Sequence, residues 1–270
     1  IDSTSADDTV AIAESFGATV KIIPTAEFGH GRTRSLAARL AHGDTLIFMT
    51  QDAALVGDDA LANLLAPLAH DDTIAGVYGR QLPATDASPF ATHLRLHNYP
   101  EQSYVRDLSD RETFGLKTAF FSDSFCAYRK DALAEVGYFP EGLIFGEDMC
   151  AAAKMLLAGG KIAYAADACA THSHNYRISQ EFKRYFDMGV FHRSQQWLVE
   201  ELGAAQSHGR AYVKAEMRFL RHTGKSYLLP VCFVRTLAKY LGYKLGLGYK
   251  ALPKWLCRRF AMHPNWPGFQ

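Results

Sequence analysis

Leu46-Ile47-Phe48-Met49-Thr50-Gln51-Asp52-Ala53 is the stretch that decides the fold. Four consecutive apolar residues read as a strand covered on both faces of an α/β sheet. Such a strand ends at the rim where open α/β sheets bind ligands. An acid at that rim, Asp52, is well sited to hold a divalent cation over a phosphate. The plainer reading makes Asp52 a cap for the helix that starts near Asp58.

The flanks of this strand alternate. Helices are expected over 8–16, 31–42 and 58–69, and strands over 19–23, 45–49 and 74–78. Alternation at these lengths predicts βαβ units and a mostly parallel sheet flanked by helices. Residues 81–117 carry three prolines and read as long loops around a helix over 88–97. A strand region over 118–128, helices over 129–136 and 147–158, and a strand over 161–165 follow. From residue 179 only helices are expected, over 179–202, 210–222, 230–249 and 253–261. The expected organisation is an α/β body over 1–175 and a helical, basic C-terminal region over 176–270.

At 270 residues and 48% hydrophobic, the chain is long and apolar enough for a large core. Its five cysteines are dispersed with no C-x-x-C, which argues for reduced thiols in the cytoplasm rather than a disulfide framework or zinc site. No signal peptide is visible, and the chain opens on Ile1-Asp2 as if cut inside a strand. Between residues 210 and 259 stand twelve Lys/Arg and one acid, Glu216. That stretch carries +11 and the remainder −10. A basic, aromatic-rich end on an acidic body suggests an anionic surface as partner. Its aromatics are interleaved with leucine as in an apolar face, which favours a lipid headgroup layer over nucleic acid. No apolar run of about 20 residues is present, so an in-plane anchor is expected rather than a span. The alternative is a packed helical subdomain with a solvated basic face. On a helix over 230–250, Arg235, Lys239 and Lys250 share about 60° of arc while Lys244 points away. Gly242, Gly246 and Gly248 are expected to weaken that helix.

Three further constellations carry chemistry. Glu147-Asp148 open an apolar helix, where the helix N-terminus favours negative charge. Leu143-Ile144-Phe145 before them form an apolar wall that raises a carboxyl pKa and suits a general base; ordinary capping is the plainer reading. His172 and His174 follow a strand and could complete a metal site begun by Asp52, or be polar loop residues. In Gly29-His30-Gly31-Arg32-Thr33-Arg34, the glycines admit close backbone approach to a ligand and the arginines suit a pyrophosphate. Neither a Walker loop nor the G-x-G-x-x-G fingerprint is present.

The order of these segments resembles the inverting glycosyltransferases of family 2, which have the GT-A fold. Asp2-Ser3-Thr4-Ser5-Ala6-Asp7-Asp8-Thr9 matches that family's D-x-S-x-D-x-T-like segment, and Gly31 to Arg34 its glycine-rich helix start. Thr50-Gln51-Asp52 matches its D-x-D, with Thr50 in place of the first acid. Ser124-Phe125-Cys126-Ala127-Tyr128-Arg129 leads to the acidic pair, and Asp167 to His172 matches D-A-x-x-x-H. Phe28-Gly29-His30-Gly31, Val77-Tyr78-Gly79-Arg80-Gln81-Leu82-Pro83 and His172-Ser173-His174-Asn175-Tyr176 are closer still to bacterial rhamnosyltransferases.

The resemblance implies transfer of L-rhamnose from dTDP-L-rhamnose to a lipid-linked or growing bacterial surface glycan. It implies Asp148 as general base with Glu147 supporting it or orienting the acceptor. Asp2 would meet the base, and Arg32 and Arg34 the nucleotide or its pyrophosphate. Mg²⁺ or Mn²⁺ would sit on Asp52 and His172, with His174 as second choice. The setting implied is cytoplasmic, peripheral on the inner face of the plasma membrane, with no nucleic-acid partner. Family members start with a further βα unit, so a first βα unit is expected to be missing here. A UDP-sugar transferase of the same fold and a non-catalytic surface-binding remnant are the competing readings.

Overall fold

A computed structural model describes residues 1–203 and 208–270. In chain order the elements are α1 (Thr9–Ser15), α2 (His30–Leu40), β1 (Thr45–Met49), β2 (Ala54–Leu55), α3 (Ala60–His70), β3 (Ile74–Leu82), α4 (Pro89–Asn98) and β4 (Tyr104–Arg106). Then come α5 (Arg111–Phe114), β5 (Phe125–Arg129), α6 (Lys130–Glu135), α7 (Glu147–Leu157) and β6 (Lys161–Thr171). The helices α8 (Ile178–Ser194), α9 (Gln196–Leu202), α10 (His208–His222), α11 (Leu229–Leu247) and α12 (Lys254–Phe260) complete the chain.

The strands lie in the order β1-β5-β3-β6-β2, with β4 beside β6. Only β3 and β6 pair in parallel; the other described ladders are antiparallel, so the expectation of a mostly parallel sheet is corrected. The cause is the long excursion after β3. It returns to the rim where β1 and β3 end, with Ser122 accepting a hydrogen bond from Gln81, and β5 enters the sheet from there. β5 therefore runs backwards between its neighbours, Phe125 opposite Met49 and Arg129 opposite Thr45. The strand expected over 19–23 is reduced to a single parallel bridge between Ile22 and Asp2.

β3 is buried along nearly its whole length, as a central strand should be. Ala60, Leu64 and Leu68 share one face of α3 and cover one side of the sheet, with Val77, Phe125 and Ala127. The alternate residues Tyr78, Cys126, Tyr128 and Tyr164 face a larger core on the other side. β1 is not covered on both faces: Leu46 is buried, but Ile47 and Met49 are exposed. An apolar run alone does not tell a central strand from one paired on one side only, and β1 pairs only with β5.

The larger core also takes Phe186, Phe191, Leu198, Leu202, Cys257 and Phe269, so the C-terminal helices share it with the sheet. The helix expected over 179–202 breaks at Gln195, where Ser194 turns its hydroxyl back to the Phe191 carbonyl. Gly242 and Gly246, expected to weaken α11, are instead its contact face. A Cβ on Gly246 would lie 2.0 Å from the Phe186 carbonyl oxygen, and one on Gly242 2.3 Å from that of Phe182. Arg235 and Lys239 do not form a solvated basic arc; both turn inward to Glu181, at 2.8 and 3.4 Å. Among the described residues, no helix is long and apolar enough to cross a membrane.

Candidate active site

After β1 the chain makes a turn closed by the Ala53 N–H on the Thr50 carbonyl at 3.1 Å, then forms the two-residue strand β2. β2 pairs with the end of β6, Ala54 opposite Thr171. That ladder carries Asp52 to the histidines that follow β6. His172 Nε2 lies 3.5 Å from one Asp52 carboxylate oxygen and His174 Nε2 3.7 Å from the other. One donor atom from each residue lies within 4.8 Å of the others.

The protonation state of His172 follows from its second nitrogen. Gln81, 2% exposed, donates to the Ser122 hydroxyl, so its carbonyl oxygen faces His172 Nδ1 at 2.8 Å. Nδ1 therefore carries the proton and Nε2 presents a lone pair toward Asp52. Burial, reinforced by Arg95, pushes the His172 imidazole down to about 4, so it is neutral at pH 7. Burial also lowers His174. For Asp52 burial acts upward, but the polar groups around it outweigh that and hold the carboxyl below its usual range. The Thr50 hydroxyl is buried with no hydrogen-bond partner among the described residues. A carboxylate facing neutral imidazole lone pairs is a set of donors lacking a cation, and it fits a divalent metal.

Asp148 stands in the first turn of α7. Gly146 before it has φ +82°, and a Cβ there would meet the Phe191 ring at 2.7 Å, so glycine is required on both counts. Asp148 lines a cleft of about 340 Å³ together with Gln81, His172, His174, Arg184 and Lys239. Its oxygens accept from the Met149 N–H at 2.7 Å and the Asp123 N–H at 3.4 Å. Burial and the adjacent Glu147 push its carboxyl up to about 6, with Arg34 opposing. Phe145, from the apolar segment expected to do this, lines the same cleft.

Glu147 faces away from that cleft into an ion pair with Arg34. Arg34 also reaches Asp123, 3.3 Å from Nε. Burial would lower the guanidinium; Asp123 and Glu147 outweigh it and raise it. Gly31 approaches its own chain rather than a ligand, since a Cβ there would lie 2.0 Å from the Pro140 carbonyl oxygen. Arg32 lies apart, 3.6 Å from Glu27 on a separate groove of about 470 Å³. Asp2 is apart as well, accepting from the Ser5 N–H at 2.9 Å and the Ser5 hydroxyl at 2.5 Å.

The structure thus brings Asp52 together with His172 and His174, and the two histidines share a cleft with Asp148. Arg34 and Glu147 pair with each other outside the cleft, Arg34 reaching Asp123, whose N–H meets Asp148, and Asp2 and Arg32 are outside the cleft as well. Two contributors escaped sequence reading. Gln81 orients His172, and Asp123, 2% exposed, joins Arg34 to the Asp148 carboxylate. Burial raises Asp123 to about 6, with Arg34 opposing. The available signal was a polar residue set in an apolar stretch, Phe120-Phe121-Ser122-Asp123-Ser124-Phe125.

The chain belongs to glycosyl transferase family 2, whose pattern it matches over residues 1–137. It is a glycosyltransferase. It is 44% identical over 98% of its length to the O-antigen chain rhamnosyltransferase RfbN of Salmonella typhimurium, covering 85% of that protein. It is 43% identical to WbaN of Salmonella anatum over 98% of its length and 84% of that chain. Among solved structures it is similar to the mannosyltransferase PcManGT of Pyrobaculum calidifontis, in complex with GDP-Man and Mn²⁺. That match has a TM-score of 0.60 and 17% identity, over 92% of this chain and 77% of the other. It is also similar to Staphylococcus aureus TarS in complex with UDP-GlcNAc, with TM-score 0.53 and 19% identity, over 97% and 73% of the chains. The fold is the GT-A arrangement that the sequence resemblance implied.

Proposed function

We propose that the chain transfers L-rhamnose from dTDP-L-rhamnose to a hydroxyl of a lipid-linked or growing bacterial surface glycan, with inversion. The observation that carries this is that His172, His174 and Asp148 line one cleft, with Asp52 set against the two histidines, in a chain so similar to O-antigen rhamnosyltransferases. Asp148 takes the proton from the acceptor hydroxyl. The acceptor oxygen then bonds to the anomeric carbon, and the carbon–oxygen bond to the nucleotide breaks, its electron pair leaving with dTDP. A carboxyl near 6 is ionised at pH 7 yet basic enough to accept that proton. The Met149 and Asp123 N–H groups hold Asp148 in place, with Arg34 anchoring Asp123 and pairing with Glu147 behind it. Asp52, His172 and His174 would hold Mg²⁺ or Mn²⁺, the nitrogen donors favouring Mn²⁺. The metal, when bound, neutralises the departing diphosphate.

This reading divides the chain into a transferase domain over 1–175 and a helical region over 176–270 that rests on the inner face of the plasma membrane. On α11 the exposed residues Phe233, Val234, Leu237, Tyr240 and Leu241 share an arc of about 120°. The exposed cations Arg210, Lys214, Arg218 and Arg221 lie along α10, while Glu216, the one acid there, is buried. An apolar stripe beside cations suits an anionic bilayer surface.

Asp148→Asn should lower transfer by about 10²–10⁴-fold and leave metal-dependent dTDP binding intact. Near-normal transfer by that variant removes Asp148 from its role. Competition between dTDP and UDP for binding decides the donor.

A further inference from the structure

Beside the catalytic cleft runs a larger groove of about 830 Å³, within the roughly 300–1,000 Å³ range of small-molecule sites. The two share Leu94, Tyr185, Met188 and Lys239 in their walls, so they adjoin. Val213, Tyr240 and Tyr243 extend the apolar wall outward. Tyr240 belongs to the exposed apolar arc of α11, so the groove opens onto that arc. Lys117, Arg210, Lys214 and Lys239 also line it, and among the described residues no acid does. Lys239 is paired with Glu181, whereas no salt bridge involves Lys117, Arg210 or Lys214 among the described residues. Burial, and then the neighbouring Arg106, lowers the Lys117 ammonium, as befits a cation without a counter-ion.

We infer that this groove binds the lipid carrier of the acceptor, its first hydrocarbon units against Val213, Tyr240 and Tyr243 on the outer wall and its phosphate or diphosphate on the lining cations, with Lys239 on the side shared with the cleft. The inference rests on the proposed transfer to a lipid-linked glycan and gives that acceptor a seat. A sugar would leave the apolar wall unsatisfied, and a plain hydrocarbon would leave the cations unpaired. An amphiphile with an anionic head satisfies both. Held there, the carrier enters from the membrane side and presents its glycan to the adjoining cleft of Asp148.

The test is calorimetric titration of the full chain with farnesyl diphosphate, with farnesol and with inorganic diphosphate. Chelator is present, so that no metal holds diphosphate at Asp52. Farnesyl diphosphate should bind at least tenfold more tightly than either fragment. Val213→Asp should weaken it at least tenfold, and Lys214→Glu, on the exposed face of α10, about fivefold or more. Binding undiminished in both variants overturns the proposal, as does failure of farnesyl diphosphate to bind. Equal competition by a short-chain phosphatidylglycerol overturns it too, because the groove would then take bulk lipid. Mn²⁺-dependent dTDP binding is measured separately. Its loss in the unsubstituted chain would count against the transferase reading, while the groove result stands or falls by the farnesyl titration.

Discussion

Replacing Arg34 with glutamine tests how the proposed general base, Asp148, is set. Arg34 is the cation between Asp123 and Glu147, with its side chain 18% exposed and theirs 1% and 6%. It also holds down the Asp148 carboxyl, which burial and Glu147 have already pushed up to about 6. Arg34→Gln leaves three clustered carboxyls without their cation. Removing one partner of a buried pair costs about 3–5 kcal/mol. The cluster recovers part of that by taking up protons, so Asp148 should rise by at least one unit, about 1.4 kcal/mol in differential interaction. A base must be ionised to work, so kcat/KM for rhamnosyl transfer falls on the acid side of the folded-state pKa. The acid limb should therefore move from about pH 6 to about pH 7 or above, with transfer recovering toward pH 8. The stability effect has a defined sign. A carboxyl whose folded pKa lies above its unfolded value makes the native state bind more protons, so stability is present at low pH and lost as pH rises through the folded pKa. Thermal unfolding of Arg34→Gln should show a steeper fall between pH 5 and 8 than the parent chain. If the variant instead keeps its acid limb and loses dTDP affinity equally at every pH, Arg34 grips the diphosphate and the countercharge account is refuted.

Gln81→Leu removes the acceptor that fixes the His172 tautomer; titration should show Mn²⁺ affinity in the presence of dTDP falling about 10–100-fold. Gly246→Ala drives a methyl into the Phe186 carbonyl where α8 and α11 touch, and urea unfolding should show a loss of about 1–3 kcal/mol. Leu237→Asp places a carboxylate in the exposed apolar arc of α11. Sedimentation with vesicles containing phosphatidylglycerol should drop, and binding of the parent chain should weaken as salt rises. Equal, salt-insensitive binding to neutral and anionic vesicles would count against the surface reading.

Much of this fold was legible because it is carried by local patterns. The strand over Thr45–Met49 ends where its apolar run ends, and α7 lies between an acidic pair and two glycines. Direction within the sheet was not legible. Strand β5 has the same residue preferences whichever way it enters, and its entry from the far rim depends on where residues 83–124 travel. Charge direction was hidden for a similar reason. Arg235 and Lys239 look like a solvated arc until Glu181 is seen facing them from α8. Glycine was misread through propensity: in an isolated helix Gly246 costs stability, but here it is what lets two helices touch.

The site shows the same division between chemistry and position. Asp52, His172 and Asp148 could be chosen from residue type and order, because few side chains hold metals or take protons. What brings Asp52 to His172 is a ladder of two residues, Ala54–Leu55, too short to show any periodicity. What readies them is a pair of buried polar side chains, Gln81 and Asp123, each meaningful only against a partner far away in sequence. Gln81 gives His172 a free lone pair, and Asp123 draws Arg34 away from any ligand and toward the base. In the proposed cation site the second imidazole, His174, standing opposite the other Asp52 oxygen, would supply the donor that Thr50 does not.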